Sequence, residues 1–158
     1  MSRISTIILD DKSVVRRTRA IEQEREVAIY DLLEANQFQL EGSEGGPYRL
    51  TLSVEENRLI LDVALDDGSE AGVPHAKIML SLSPLRGLIR DYFLVCESYY
   101  KAIRTAPPSQ IEALDMGRKA LHDEGAELLR ARLAGRVECD FDTARRLFTL
   151  ICVLHLKG

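Results

Sequence analysis

Three stretches of the chain alternate apolar and polar residues with a period of two. They are Tyr48, Leu50, Leu52 and Val54; then Leu59, Leu61, Val63 and Leu65; then Ala76, Ile78, Leu80 and Leu82. Successive side chains of an extended strand point to opposite faces, so each run gives a ribbon with one apolar and one polar side. The EEN link between the first two runs predicts a tight hairpin, because Asn57 tolerates the left-handed conformation. DDGSEAGVPH predicts a longer loop. A sheet with one apolar face needs a cover, and the rest of the chain supplies helices. The expectation is an α+β fold: an antiparallel β-meander of three to four strands, the fourth candidate being Ile4–Leu9, packed against a helical C-terminal half with an additional N-terminal helix.

The helices announce themselves by spacing. Ile21, Ala28, Ile29, Leu32 and Leu33 share one face of a segment that follows the basic cluster Arg16, Arg17 and Arg19. Glu22, Glu24 and Glu26 follow those arginines closely and are expected to neutralise them. From Ser83, with Pro84 at the first helical position, a stripe runs through Leu85, Leu88, Ile89, Tyr92, Phe93, Cys96, Tyr99, Tyr100 and Ile103. That length of stripe predicts the central core helix. Pro107 and Pro108 end it, and Ser109 with Glu112 reads as a capping box for a helix running to about Leu133, with Gly135 beyond its end. Asp142 is expected to cap a last helix with Ala144, Leu147, Phe148, Ile151, Leu154 and His155 on one face. No internal repeat or interdomain linker separates these parts, so residues 1–158 read as one domain.

Composition narrows the function classes. The 21 basic and 25 acidic residues leave a net charge of −4, which opposes non-specific binding to nucleic acid or acidic membrane unless a local basic patch exists. No apolar run approaches the roughly 20 residues of a membrane span. The N-terminus lacks the pattern of a signal peptide, and three scattered cysteines, Cys96, Cys139 and Cys152, do not form a disulfide framework. A reduced, cytoplasmic protein is expected.

The motifs that could carry chemistry are weak. GSEGGP lacks the GxxxxGK[ST] spacing of a phosphate loop and reads as a flexible connection. Cys152 and His155 stand three apart, but no CxxC or HExxH accompanies them, so no metal and no cofactor is expected. Cys139 lies between Glu138 and Asp140, which oppose thiolate formation. A helix-turn-helix reading of the PP junction would bring Asp115 to the DNA, where an acid repels phosphate.

The stretch 107–125, PPSQIEALDMGRKALHDEG, is the richest. Asp115, Arg118 or Lys119, and His122 fall along one row of its helix. Arg118, one turn from His122, should hold the imidazole pKa down. The simplest reading is a charge network flanking the core stripe. Gly117 and Gly125 each cost about 1 kcal/mol in a helix interior relative to alanine. They lie two turns apart and predict a groove for another helix, a second protein or a ligand. Arg145 and Arg146 occupy the first turn of the last helix, where the dipole disfavours cations. They either pair with Glu138, Asp140 and Asp142 or hold an anion.

The segments EREVAIYDLLE, GGPYRL, PSQIEALDMGR, ALHDEGAELL and DFDTARRLFTLICVLH resemble uncharacterised protein family 0262, a group of small bacterial proteins of unknown function. The resemblance covers almost the whole chain, although DDGSEAGVPHAK differs from the family pattern and weakens any shared role for His75. It implies a cytoplasmic bacterial protein and supplies no catalytic residue, cofactor or partner. Two functional expectations follow. The first is a non-enzymatic protein acting by homo-oligomerisation or by binding another protein through the Gly117/Gly125 groove and the leucine-rich last helix. The second is a small anionic-ligand-binding protein or enzyme, with His122 as acid/base oriented by Glu124 or Asp115, and Arg118, Arg145 and Arg146 holding the anion.

Overall fold

The computed structural model describes residues 2–10 and 19–155; Arg16 and Arg17 of the basic cluster lie outside them. In chain order the elements are β1 (Ile4–Leu9), α1 (Arg19–Glu34), β2 (Phe38–Leu40), β3 (Tyr48–Glu55), β4 (Arg58–Leu65), β5 (Val73–Ser81), a short 3-10 turn (Ser83–Leu85), α2 (Arg86–Thr105), α3 (Pro108–Leu133), β6 (Val137–Cys139) and α4 (Phe141–Leu154).

The three alternating runs form the expected antiparallel meander, β3–β4–β5. Its first turn is a two-residue loop in which Glu56 and Asn57 take φ of 49° and 63°, the left-handed pair that matches strand twist. The sheet as a whole is mixed, which corrects the all-antiparallel expectation. β1 joins at the edge beside β3 and runs parallel to it, giving the order β1-β3-β4-β5. The reason is the connection: α1 carries the chain back to the starting end of the sheet, so the next strand runs the same way as β1. A second, two-stranded ribbon pairs β2 with β6, Phe38 against Cys139 and Leu40 against Val137.

The core lies between the apolar side of the sheet and the helices, and α4 is its centre. Residues 147–153 of α4 are buried without a break, as expected of a mainly apolar helix segment enclosed on every side. The prediction that α2 would be the central helix is therefore corrected. α2 buries Ile89, Tyr92, Cys96 and Ala102, whereas Ile103 near its end is 47% exposed. Its stripe continues past the edge of the core.

The caps also differ from the spacing-based reading. Asp140, not Asp142, caps α4, accepting from the Thr143 N–H at 3.2 Å. α3 starts at Pro108 with no side-chain cap, because Ser109 already lies inside its first turn. Ser83 opens the 3-10 turn rather than capping α2, and its hydroxyl accepts from Asn57 Nδ2 at 3.0 Å. Gly135 does end α3 in the left-handed region, at φ 88°.

Candidate functional site: a buried polar network beneath an open cleft

The polar row of α3 meets an acid from α1 that the sequence reading assigned to charge neutralisation. Glu24 falls on the buried face of α1 with Ile21, Ala28 and Leu32, and is only 5% exposed. Its position is the signal that was available: an acid at a stripe position, where an apolar residue belongs. A carboxylate there must be fully partnered. Glu24 Oε1 accepts from Arg118 Nη1 at 2.8 Å and from the Tyr100 hydroxyl at 3.2 Å, with the Cys96 thiol at 4.0 Å. Oε2 accepts from the Tyr92 hydroxyl at 2.9 Å.

Arg118 stands between two carboxylates. Its Nη2 also donates to Asp115 Oδ1 at 2.7 Å, and Lys119 Nζ reaches Asp115 Oδ2 at 3.1 Å. The guanidinium carbon lies 4.8 Å above the centre of the Tyr99 ring, within cation–π range. Burial works to lower the Arg118 pKa, but the Asp115 hydrogen bond and the Glu24 charge outweigh it and raise the pKa. The same contact holds the Asp115 carboxyl below its ordinary range.

The network continues to α4. Tyr92 spends its hydroxyl hydrogen on Glu24, and Thr149 spends its own on the Arg145 carbonyl at 3.2 Å. Both hydroxyl oxygens face His122 Nε2, at 3.0 Å and 3.2 Å. With two acceptors in front of it, Nε2 must carry the hydrogen, which fixes the tautomer. Burial first, and then the charges of Arg118 and Arg145, pull the His122 pKa down to about 4. His122 is thus a neutral, buried donor. Glu24, Tyr92, His122 and Thr149 form one chain through all four helices.

Of the other site candidates, Arg145 ion-pairs with Asp142 at 3.5 Å while its charge is felt at His122. Arg146 donates to the Ala35 carbonyl at the end of α1, at 3.1 Å. Glu124 is exposed, and Asp115 is engaged with Arg118 and Lys119. The two glycines part company. A Cβ on Gly125 would lie 2.5 Å from the Phe148 ring, so α4 occupies that position closely. A Cβ on Gly117 would meet Val95 of α2 at an ordinary 4.0 Å. The leucines of the last helix, Leu147 and Leu150, are buried within the chain itself.

Above the network opens a cleft of about 970 Å³ between α1 and the C-terminal half of α2. Glu24, Tyr99, Tyr100 and Arg118 line its inner part, Val27 and Ile103 add apolar surface, and Arg19, Lys101 and Arg104 are exposed around it. Four cations line it against two carboxylates, Glu24 and Glu97. Among the described residues, no carboxylate pairs with Arg19, Lys101 or Arg104.

Two other arrangements invite chemistry. Ser43 Oγ lies 2.9 Å from His75 Nε2 beside a smaller concavity of about 430 Å³. That oxygen also accepts from the Tyr48 hydroxyl at 3.1 Å and the Gly45 N–H at 3.2 Å, while Gln39 holds the Ser43 carbonyl at 3.0 Å. These bonds anchor the segment that the sequence suggested was a flexible connection, and they make the pair a latch between that loop and β5. The cysteine thiols are buried: Cys96 is pushed up to about 12 by burial and then by Glu24, and Cys139 to about 11 by burial. Among the described residues no three His, Cys, Asp or Glu side chains gather around a common point. Among the described residues no helix is long and apolar enough to cross a membrane.

No solved structure matches the chain. Its sequence relatives are close. A protein of Azorhizobium caulinodans is 58% identical over 158 residues, covering 99% of this chain and 96% of the relative. One from Phenylobacterium zucineum is 57% identical, covering 99% and 94%. One from Brucella canis is 57% identical, covering 94% and 91%. Each relative carries only the family name. The family model matches residues 1–157. The chain therefore belongs to Uncharacterised protein family (UPF0262), bacterial proteins whose function is unknown.

Proposed function

We propose that the protein is a non-catalytic binding protein whose α1–α2 cleft takes a small anionic ligand. One observation carries this reading: a chain of net charge −4 keeps three cations around one cleft that have no carboxylate partner among the described residues. Cations gathered at a concave, partly low-dielectric site concentrate anions there. The floor beneath them supports the same reading. Burying an ion pair such as Glu24–Arg118 is often no more stabilising than burying apolar residues of equal volume. What the pair does supply is a rigid polar base that holds Tyr99 and Tyr100 in place.

Catalysis is the weaker half of the anionic-ligand reading. General acid–base groups work best with a pKa near the operating pH. Here His122 is pulled down to about 4, and burial raises the Tyr92 and Tyr100 hydroxyls above their ordinary value. His122 also sits behind Tyr92 rather than in the cleft wall.

The test is thermal unfolding across a panel of sodium salts (phosphate, octanoate and 2-naphthoate) at constant ionic strength. A ligand at ten times its Kd adds about 1.4 kcal/mol, or about 3–6 °C in Tm for a domain of this size. Saturable stabilisation that disappears in Lys101→Ala/Arg104→Ala supports the reading. Equal curves for wild type and variant with every salt overturn it.

Self-association is a second reading, favoured by Val27 and Ile103 at the cleft and Tyr30 one turn along α1, which are 46%, 47% and 65% exposed. Native mass by light scattering across concentration tests it, with a mass doubled in wild type and halved in Val27→Glu as the supporting result.

A further inference from the structure

We infer that the ligand is an amphipathic anion, an apolar body joined to one acid group, rather than a simple inorganic ion. This rests on the cleft being the ligand site and goes on to name the chemistry that would fill it. The cleft offers two kinds of surface in two places. Arg19 at the start of α1, with Lys101 and Arg104 in the last turns of α2, supplies exposed charge. Val27 on α1 and Ile103 on α2 supply apolar surface, each left nearly half exposed. Tyr99 and Tyr100 meet edge to face, with centroids 5.2 Å apart and planes at 81°, which makes a corner of two aromatic surfaces. A phosphate ion would satisfy the cations and leave this surface wet. A neutral apolar molecule would cover it and leave the cations without a counter-charge.

The innermost charges are already spent. Arg118 is shared between Glu24 and Asp115, and Glu24 receives three oxygen- or nitrogen-borne hydrogens. An incoming acid group therefore meets Arg19, Lys101 and Arg104 rather than the floor, and the apolar body is left to face the tyrosines, Val27 and Ile103. The cleft volume of about 970 Å³ falls at the upper end of the range for small-molecule sites, so it admits a body of ten or more carbons. Whether the body is an aliphatic chain or a fused ring is decided by how it packs against the tyrosine corner.

The experiment compares four probes on the full chain by two-dimensional NMR titration: inorganic phosphate, octanoate, 2-naphthoate and neutral 2-naphthol. The expected result is that octanoate or 2-naphthoate binds about tenfold or more tightly than phosphate and than 2-naphthol. Shifts should centre on Val27, Tyr99, Tyr100 and Ile103. Lys101→Ala/Arg104→Ala should weaken the amphipathic acids and leave 2-naphthol unchanged, while Ile103→Ser should weaken the acids and leave phosphate unchanged. All these side chains are at least partly exposed, so the variants keep the fold, which the same spectra verify. Phosphate binding as tightly as the organic acids, with dependence on Lys101 and Arg104, overturns the amphipathic assignment and leaves the anion cleft standing. 2-Naphthol binding as tightly as 2-naphthoate overturns the anion cleft itself, as does the absence of binding by all four.

Discussion

The two halves of α3 are packed differently. Its C-terminal half lays Gly125, Ala126, Leu129 and Leu133 into the core, where the Phe148 ring of α4 fills the space that a Cβ on Gly125 would need. Its N-terminal half leaves Ile111 and Leu114 half-buried and sends Arg118, with His122 just past the midpoint, into a hydrogen-bonded chain through α1, α2 and α4. Close packing tolerates no added volume, whereas a buried polar network tolerates no missing partner. One helix thus carries the apolar seam that holds the fold and the polar seam that floors the cleft. Its two glycines fall on opposite sides of that division.

The largest effect is expected from breaking the polar seam on one side only. Arg118→Met leaves the Glu24 carboxylate buried without its cation and should cost about 3–5 kcal/mol in urea unfolding. Adding Glu24→Gln removes the stranded charge, so the double variant should be more stable than Arg118→Met alone. Additive costs would mean the two residues do not act as a pair.

A pH series tests the other end of the same seam. His122 is neutral when folded and protonates near 6.5 when unfolded, so the unfolded chain binds the extra proton first as pH falls. Stability is full at pH 7 and declines from about 6.5 down to about 4, a loss of about 3 kcal/mol for this group. His122→Gln should flatten that decline. Asp115, held below its ordinary value, loses its contribution only as pH falls below the usual carboxylate range, and so leaves the window clear.

The apolar seam is probed by Gly125→Ala. The helix gains about 1 kcal/mol from the substitution, but overpacking against Phe148 costs about 1–3 kcal/mol. The net should be a loss of roughly 1 kcal/mol by the same unfolding measurement, partly recovered by adding Phe148→Leu. The smallest effect has the opposite sign. Gly117→Ala meets Val95 at 4.0 Å, ordinary contact, and should stabilise the protein by up to about 1 kcal/mol. If both glycines respond alike, the division of α3 is wrong.

Much of this was legible in the sequence wherever a period ran long enough to be read. β3, β4 and β5 and all four helices follow from alternation or from three-and-four spacing. β2 and β6 do not, because three residues are too short to show a period. The parallel pairing of β1 was also hidden, since it depends on where α1 returns the chain rather than on any residue of the strand. α2 outranked α4 as the predicted core because its stripe is longer, whereas the one-face stripe read for α4 does not reveal that Thr149, Leu150, Cys152 and Val153 are buried as well. The candidate site was half visible. Arg118 and His122 stood out by type, and the depressed imidazole pKa was expected from Arg118. Glu24 was passed over because it sat among other acids, and only its stripe position marked it as buried. The cleft joins residues about 80 positions apart and leaves no trace in local pattern.

The most direct measurement is a co-crystal structure of the protein with 2-naphthoate. The predicted result is density between α1 and α2, with the ring against Tyr99 and Tyr100 and the carboxylate within reach of Arg19, Lys101 or Arg104. Density anywhere else on the molecule, or an empty cleft at saturating ligand, would contradict the assignment of this cleft as the binding site.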